Sequence, residues 1–559
     1  MTTAKTTGIL RSIFYYGTYA KRTFISAAIV LAFTGTAHAD ELSDIQAQAK
    51  QLREQMTKRI ADLEKRQKTL EAQKLAVPTI SPVDAMAADL PYKAAVKAKP
   101  VESDDICWHG VCVYGNFDMG LMYENHGAPF NAMGVGPLST MVEKQSNGSY
   151  FGAGANQASV SFIGLRGKQE IADNLYAVFN LQTLFNPASG MNTNQIGGIV
   201  QNNGLGTNVQ TLQLANAYGD SSKAGQMFNN AAYFGVSSPI YGTFTMGRQS
   251  ALSSDIVVNY DALSNATAFS VLAYEGAAGG GGVTESRIYD NSYEYRLNVG
   301  PVRLAAEVQL RNGGNSATGN AFEGDVGFDY MGFSMDVVGG KITDAFSIAT
   351  TLSAAQVQQI NASGLGCSLG CTAGVVSDNT FVQLGLKYTI GAWKFYGGYE
   401  NIHLSNPDSP LAPGAFQMGG YNIAFPTNNF YGSTRILQIF WAGVKYAVTP
   451  NLDVMGSYYG YRSGSFLTPS NNNAAGGFGN CSTSFSPGCS GSMDAVSMMV
   501  DWRFARHMDM YAGVMYTQKQ GGFASGYVLT ATDLNNPATV NTLNKVSAYD
   551  PAIGLRYQF

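Results

Sequence analysis

The clearest candidates for functional chemistry in this chain are three carboxylates in one long segment, Asp255, Asp261 and Glu275. They follow the run 242–249, and four consecutive glycines at 279–282 give the segment the freedom to fold back on itself. Carboxylates that face basic side chains across a narrow passage create a transverse electric field. Such a field orients dipolar solutes and rejects apolar ones. The segment therefore predicts an electrostatic constriction.

A constriction requires an enclosing wall, and the carboxyl-terminal sequence has the pattern of one. From Tyr549 to Phe559, a large or apolar residue stands at every second position. This period of two is typical of a strand with one apolar face and one wet face. An edge strand of a soluble β-sandwich would alternate in the same way, but behind a secretory signal the pattern favours the closing strand of an outer-membrane barrel. We expect Leu555, Tyr557 and Phe559 to form a C-terminal assembly signal.

The run 111–124 alternates in the same manner. Val113, Phe117, Met119 and Leu121 share one parity and are expected to face lipid. The opposite parity carries polar side chains that would line the lumen: Tyr114, Asn116 and Asp118. We therefore add Asn116 and Asp118 to the candidate pore residues.

Sixteen runs of strand character follow one another between residues 111 and 559. Short connections such as 171–174 and 449–451 alternate with long ones such as 125–156 and 464–493. Tight turns at one rim and long loops at the other are typical of an outer-membrane barrel, and a barrel of this size leaves an aqueous channel. The predicted fold class is all-β, a 16-stranded antiparallel transmembrane β-barrel preceded by a short N-terminal coiled-coil helix.

The amino terminus explains how the chain would reach such a membrane. Four basic residues precede the apolar stretch 24–33, and Ala37-His38-Ala39 is an A-x-A cleavage pattern, so residues 1–39 are predicted to be a signal peptide. No later stretch offers 18 consecutive apolar residues. Cleavage would remove 4 of the 35 basic residues and none of the 39 acidic ones, which leaves 31 − 39 = −8. This charge excludes a nucleic-acid-binding protein.

Residues 40–75 are predicted to form a separate coiled-coil helix. Their apolar residues recur at steps of three and four, and the positions between them are mostly polar, which favours self-association. The alternative is a single amphipathic helix lying on the barrel. Residues 76–105 carry Pro78, Pro82, Pro91 and Pro100 and are predicted to be a linker. The barrel then covers residues 106–559.

The cysteines and histidines indicate disulfides rather than a metal centre. The six cysteines fall into three close pairs, and an exported protein meets an oxidising compartment, so we expect local disulfides. The pairs are Cys107 with Cys112, Cys367 with Cys371, and Cys481 with Cys489. The histidines outside the signal are scattered, and none accompanies a nucleophile motif, so neither a metal, a cofactor nor a hydrolase is expected.

Several short motifs, in their order and spacing, resemble those of the trimeric general-diffusion porins of Gram-negative bacteria, especially the β-proteobacterial branch. The matching stretches are Val113-Tyr-Gly-Asn-Phe-Asp118, Gly164-Leu-Arg-Gly167, Ala232-Tyr-Phe-Gly-Val236, Gly242-Thr-Phe-Thr-Met-Gly-Arg-Gln249, Asp509-Met-Tyr-Ala512 and the terminal phenylalanine. The resemblance implies a homotrimer of sixteen-stranded barrels whose third loop folds inward to form the constriction.

The resemblance also implies that three arginines of the family's barrel wall correspond to Arg166, Arg248 and Arg287 of this chain. A further arginine of the family falls on Phe162, and the family's usual third-loop motif is replaced around Glu275. Arg166 has the parity expected for the lumen. Arg248 shares the parity of Phe244 and Met246, so it requires a bulge or kink, for which Gly247 is a plausible site. Arg287 is likewise out of step with Tyr293 and its neighbours.

The sequence thus predicts an outer-membrane channel for passive diffusion of ions and small hydrophilic solutes, and not an enzyme. The departures in the third loop and the wall keep a substrate-selective channel open as an alternative. A second alternative is an adhesin or envelope tether that uses the coiled coil. The expected partners are outer-membrane lipid, two further copies of the chain and the peptidoglycan layer on the periplasmic side.

Overall fold

A computed structural model describes most of the predicted barrel and little of the chain before it. The chain divides into two compact units, 1–80 and 81–559. The structure describes residues 50, 54, 58, 106–126, 149–193, 218–219, 227–274, 288–311, 319–351, 372–410, 415–418, 421–428, 434–464, 490–521 and 545–559.

In the first unit, Lys50, Glu54 and Lys58 are helical and exposed. Their spacing of four places them on one polar face of a helix. The predicted signal peptide (1–39), the linker (76–105) and most of the predicted coiled coil lie outside the described residues, so these remain expectations.

Sixteen long strands make up most of the described part of the second unit, as the sequence predicted. They are β1 (Val111–Glu124), β2 (Phe162–Ala172), β3 (Leu175–Asn186), β4 (Ala231–Ser238), β5 (Gly242–Ser250), β6 (Ile288–Val299), β7 (Val302–Gln309), β8 (Ala321–Tyr330), β9 (Phe333–Thr351), β10 (Thr372–Ile390), β11 (Trp393–Ser405), β12 (Arg435–Thr449), β13 (Leu452–Ser463), β14 (Gly491–Ala505), β15 (Met508–Gly521) and β16 (Lys545–Gln558).

Shorter elements accompany the long strands. The helix α1 spans Leu252–Tyr260, and a 3-10 turn spans Val271–Tyr274. The short strands are Ile106–Trp108, Tyr150–Ala155, Met191–Asn192, Tyr218–Gly219, Ala415–Met418 and Tyr421–Asn428. Within the described ranges, no helix is both long enough and apolar enough to cross a membrane.

The sixteen strands close into a barrel. Each pairs antiparallel with its successor, and β16 pairs with β1 from Asn116↔Gln558 to Met122↔Ala552. The backbone of Gly115 continues this ladder to the last residue, donating to and accepting from Phe559 at 2.9 and 3.1 Å. Closure leaves none of these strands as an open edge, which confirms the predicted fold class.

The predicted alternation of faces is present in β16. Its odd-numbered residues point outward, and Ile553, Leu555 and Tyr557 are 47%, 48% and 45% exposed. Its even-numbered residues point inward, and Asp550 and Arg556 are buried. An apolar outer face and a polar inner face suit a cylinder that contacts hydrocarbon outside and water inside.

The second strand departs from the sequence prediction. The run 157–170 was predicted to be one strand, but Tyr150–Ala155 pairs with β1 at 119–124 and β2 pairs with it at 111–116. The six residues 156–161 between them stand opposite only two residues of β1, Phe117 and Asp118. We call residues 156–161 the inner turn. All six are buried, and the prediction of strand over 157–161 is wrong because the Asp118 carboxylate draws their amides inward, as shown below.

Candidate pore constriction

The segment after β5 enters the barrel as α1. Ala251 is extended, and Ser253 then donates from its backbone N and its Oγ to the Glu323 carboxylate of β8 at 2.8 and 3.0 Å. This carboxylate satisfies one of the amides that the first turn of a helix leaves unpaired. The apolar side chains Leu252, Ile256 and Val257 are 1% exposed because they pack on the inner wall. We call residues 251–274 the inner loop.

Tyr260 holds the far end of α1 against the wall. Its hydroxyl donates to Asp336 Oδ2 at 2.7 Å, and its carbonyl accepts from the Trp441 indole nitrogen at 2.9 Å. Its ring lies directly over Gly385, where an added Cβ would meet two ring atoms at 2.3 and 2.5 Å. A larger residue at 385 would therefore push the ring away from the wall.

Asp261 turns the inner loop after the helix. Its carboxylate accepts from the Tyr459 hydroxyl at 2.7 Å and from the backbone nitrogens of Leu263 and Asn265 at 3.2 and 3.1 Å. The side chain is fully buried, and this burial raises the pKa of the Asp261 carboxyl above its ordinary value. The geometry makes Asp261 an anchor of the loop, without direct access to lumen water.

The return leg of the inner loop, residues 266–270, docks on the inner turn of the wall. Ala268 N donates to the Gln157 carbonyl at 2.7 Å, and Thr267 Oγ1 donates to the same carbonyl at 2.9 Å. Phe269 packs edge-on against Tyr511 with ring centroids 6.1 Å apart. The loop thus crosses from β5 to the wall formed by β8–β13 and then reaches the inner turn beside β1 and Tyr511 of β15.

The inner loop and the wall beneath it form one apolar core inside the barrel. Burial of this much apolar surface is the main term that holds the loop in place. The wall contributes Val338, Ile342, Phe381, Ile402, Leu404, Leu437, Ile439, Trp441, Met455, Tyr459, Met493, Met499 and Met515, and the loop contributes Leu252, Ile256, Val257, Tyr260, Leu263, Phe269 and Leu272.

Charged groups that keep access to water lie on the adjoining strands β6 to β8. Arg296 is 33% exposed and contacts both Glu294 and the Asp255 carboxylate of α1, the latter at 2.5 Å. Arg303 is 27% exposed and donates to Asp336 at 2.8 Å and to the Tyr260 hydroxyl at 3.1 Å. The acid of the loop and the base of the wall are therefore in direct contact.

Sequence reasoning did not select Arg296 or Arg303. The signal was present, because Arg296 has the parity of Ser292 and Glu294, opposite to the outward Tyr293 and Tyr295. The same period-two argument that questioned Arg287 would have placed Arg296 in the lumen.

The predicted wall arginines fall in other places. Arg166 lies over the Tyr114 ring at 4.6 Å, on the inward parity of β2. Arg248 is buried, and its guanidinium donates to Asp290 Oδ1 at 2.7 Å and to the Asn229 carbonyl at 3.0 Å. Arg287 and Glu275 lie outside the described residues.

The expected irregularity near Arg248 is present. Gly247 has φ +134°, and the register of β5 with β6 shifts between Tyr289 and Ser292, so the extra residue belongs to β6. Thr245 donates to Gln249 at 2.7 Å, and Gln249 donates to Ser292 at 2.9 Å, which marks this face of β5 as the inward one. Arg248 keeps the opposite parity, and its ion pair with Asp290 stands at the end of the strand.

Asn116 and Asp118 of β1 both support the inner turn. The Asn116 amide donates to Ser159 Oγ at 2.7 Å and to the Val160 carbonyl at 3.0 Å. The Asp118 carboxylate is fully buried and accepts several backbone amides of the turn. Two of the predicted residues, Asn116 and Asp118, are thus linked to each other through the inner turn. A third, Asp255, forms an ion pair with Arg296, which was not predicted.

Comparison with protein families identifies the chain. The family model of the Gram-negative porins matches residues 26–522. The chain belongs to this family. The family and the closed barrel together indicate a passive diffusion channel of the outer membrane rather than an enzyme.

Solved structures similar to this porin are distant in sequence. An anion-selective porin from Comamonas acidovorans is 16% identical, with 80% of this chain and 99% of that chain covered and a TM-score of 0.47. OmpT of Vibrio cholerae, in its trimer form, is 14% identical with 80% and 99% covered and a TM-score of 0.46. OmpF of Salmonella typhi is 13% identical with 80% and 97% covered and a TM-score of 0.40. No curated protein sequence matches the chain.

A disulfide closes the start of the porin barrel. Cys107 and Cys112 are bonded, and they join the short strand Ile106–Trp108 to β1. This bond confirms the first of the three predicted cysteine pairs.

The other two predicted disulfides fall on parts of the chain that the structure does not describe. Cys367 and Cys371 lie outside the described residues, and so do Cys481 and Cys489, so both of these bonds stay predictions. Across the described ranges, no three or more His, Cys, Asp or Glu side chains are grouped so that they could hold a metal ion.

The C-terminal residues of the porin form the seam of the barrel. The Phe559 ring lies 5.8 Å from Tyr557 and 6.1 Å from Phe117, measured between centroids. It also covers Gly115, where a Cβ would meet the ring at 2.6 Å. The role of Leu555, Tyr557 and Phe559 as an assembly signal stays a prediction.

Proposed function

We propose that this porin conducts ions and small hydrophilic solutes through a passage that the inner loop narrows beside Arg296 and Arg303. The observation that carries the proposal is the ion pair between Asp255 and Arg296, in which both side chains keep partial exposure, 18% and 33%. The apolar core fills the space between the inner loop and the wall, so solutes pass along the charged groups that border it. Charges at such close quarters govern which solutes pass.

In this proposal the residues of the candidate site have two roles. Arg296, Arg303 and Asp255 face the solute, and Arg166 lines the wall near the tight-turn rim. Asp118, Asn116 and Asp261 hold the inner loop and the inner turn in position. Arg248 stabilises the end of β5 through Asp290. Arg287 and Glu275 remain candidates on sequence grounds.

Replacing Arg296 tests the proposal. Arg296→Gln removes a positive charge from the narrow passage, so we expect the permeability ratio of cations to anions to rise about two-fold. The measurement is the reversal potential of single channels in planar bilayers under a salt gradient. Arg311→Gln is the matched control, because Arg311 is 35% exposed and pairs with Asp344 at the far end of β7. Equal reversal potentials in both variants, or no conductance in the parent protein, would contradict the proposal.

A substrate-selective channel is the second candidate. The observation that favours it is Phe162, which stands where the resembling porins have an arginine and packs against Tyr114 with ring centroids 5.4 Å apart. Saturable block of the current by one solute at low concentration would distinguish this candidate.

The proposal extends to export and assembly. Residues 1–39 direct secretion, the mature chain forms a homotrimer, and the coiled coil 40–75 lies on the periplasmic side. There it assists trimer assembly or reaches toward the peptidoglycan layer. The heptad-like spacing of the apolar residues in 40–75 supports self-association.

A further inference from the structure

The inner turn is organised around one carboxylate. Asp118 Oδ2 accepts from the backbone nitrogens of Ala158 and Ser159 at 2.9 and 2.6 Å and from Ser159 Oγ at 3.1 Å. Asp118 Oδ1 accepts from Gln157 N at 3.3 Å. Consecutive amides that converge on one anion form a nest, and charge-assisted bonds of this kind are the strong ones.

The inner turn is also closed internally. Ser161 N donates to Asn156 Oδ1 at 2.8 Å, and Asn156 has φ +59°, which asparagine tolerates better than most residues. Asn156 N donates to the Asp118 carbonyl at 2.9 Å, and Asp118 N donates to Ser161 Oγ at 2.9 Å. The backbone and the side chain of Asp118 therefore both fix the turn.

The opposite side of the inner turn receives the inner loop. The Gln157 carbonyl accepts from Ala268 N and Thr267 Oγ1. Tyr511 completes the link, because its hydroxyl donates to Asp118 and its ring packs against Phe269. One chain of contacts thus runs from Asp118 through residues 157–159 to residues 267–269.

We infer that Asp118 is a positioning residue that holds the return leg of the inner loop, and with it the width of the passage, through the inner turn. This inference deepens the proposed function, on which it rests. The outgoing leg of the loop, which is the helix α1, does not depend on Asp118, because Glu323 and Asp336 anchor it separately. Loss of the Asp118 charge therefore frees one leg and leaves the other docked.

Thiol labelling of the two legs tests this inference. Ser270 on the return leg and Ser254 on the outgoing leg are 0% and 4% exposed, and each accepts a nearly isosteric cysteine. We expect Asp118→Asn to raise the rate at which a small water-soluble methanethiosulfonate labels Ser270→Cys by about ten-fold, and to leave Ser254→Cys unchanged. The parent protein without either cysteine gives the background.

Two further variants complete the experiment. Asp494→Asn removes one carboxylate of the outward parity of β14, which pairs with Arg462 and does not touch the turn, so it should leave labelling at both sites unchanged. Tyr511→Phe keeps the ring against Phe269 and removes one donor to Asp118, so a smaller rise at Ser270→Cys is expected. This variant carries the test if Asp118→Asn fails to assemble.

Unchanged labelling of Ser270→Cys, or an equal rise at both legs, would overturn the inference. The parent protein in the same preparations is also tested for conductance in planar bilayers. A silent parent would reject the proposed function, whereas the labelling pattern would still decide whether Asp118 positions the loop. Selective release of the return leg should also change single-channel conductance in Asp118→Asn and not in Asp494→Asn.

Discussion

At the scale of single residues, buried ion pairs join the strands of the inner wall. Arg556 of β16 is 7% exposed and donates from Nε to Asp509 at 3.1 Å, with Asp501 at 3.6 Å from its guanidinium. Lys445 and Arg503 bracket Asp453 in the same way, at 2.7 and 2.8 Å. Three of these four pairs join neighbouring strands, and the Arg556–Asp501 pair reaches from β16 across β15 to β14, so the charges hold the strands together from inside. A lone charge in such a place would be costly.

Arg556 offers a direct measurement of this effect. We expect Arg556→Met to lower the free energy of unfolding by about 3–5 kcal/mol, because Asp501 and Asp509 would stay buried without their shared cation. Urea unfolding of the refolded porin in detergent or lipid measures this change. Arg462→Met serves as the control, since the Arg462–Asp494 pair is 37% and 30% exposed and should be worth about 1 kcal/mol or less. Equal losses in the two variants would refute the argument.

At the scale of elements, the shape of the wall and the inner loop fit one another. Gly385 lies under the Tyr260 ring, and Gly443 lies under Ala262, whose Cβ would be 2.6 Å from an added Cβ. These two glycines form a shallow trough in which the end of α1 lies. The trough and the hydroxyl partners of Tyr260 together fix how far the helix projects into the lumen.

Filling the trough should move the loop toward the lumen centre. Gly385→Val places new atoms against the Tyr260 side chain, at an overpacking cost of about 1–3 kcal/mol. We expect a lower single-channel conductance, because α1 must shift away from the wall. Gly324→Val is the control, since an added Cβ there has open space within 4 Å. A conductance that is unchanged in Gly385→Val would show that Tyr260 adapts without moving the helix.

At the scale of the whole molecule, the described strands make a closed cylinder, and the N-terminal unit is a separate body. The helical, exposed Lys50, Glu54 and Lys58 agree with a solvated face of a helix. If the apolar residues of 40–75 pair between copies of the chain, the helices add a second contact between the copies, beside the contact between their barrels. Linked contacts of this kind strengthen an assembly by raising the effective concentration of its parts.

Deleting residues 41–75 from the secreted chain tests this role. The truncated porin should still form a heat-modifiable barrel, while its cross-linked trimer should dissociate at a lower temperature than that of the full chain. Cross-linking followed by gel electrophoresis over a temperature series measures the difference. Trimers of equal thermal stability would remove the assembly role and favour a reach toward peptidoglycan.

The sequence predicted the features that repeat and missed those that depend on a single distant partner. The alternation of apolar and polar residues predicted β1 and β16 correctly, because every second side chain faces lipid and the side chains between them face the lumen. The Cys107–Cys112 bond was predictable because its partners are five residues apart. The inner turn was missed, since its small polar residues carry no period and its shape depends on Asp118, some 40 residues earlier. The inward position of Arg296 could have been predicted from its parity alone.

The anchors of the inner loop also impose an order of events on biogenesis. The loop follows the fifth of sixteen strands, yet its hydrogen-bond partners come much later in the chain. Tyr260 is bonded to Trp441, 181 residues later, and Asp261 is bonded to Tyr459, 198 residues later. The Asp118 clamp is completed only by Tyr511, 393 residues downstream. Contacts so far apart in the chain form late. A barrel whose last hairpins have not yet paired therefore lacks the partners that hold the inner loop, and the narrow passage is complete only once β12 to β15 are in place.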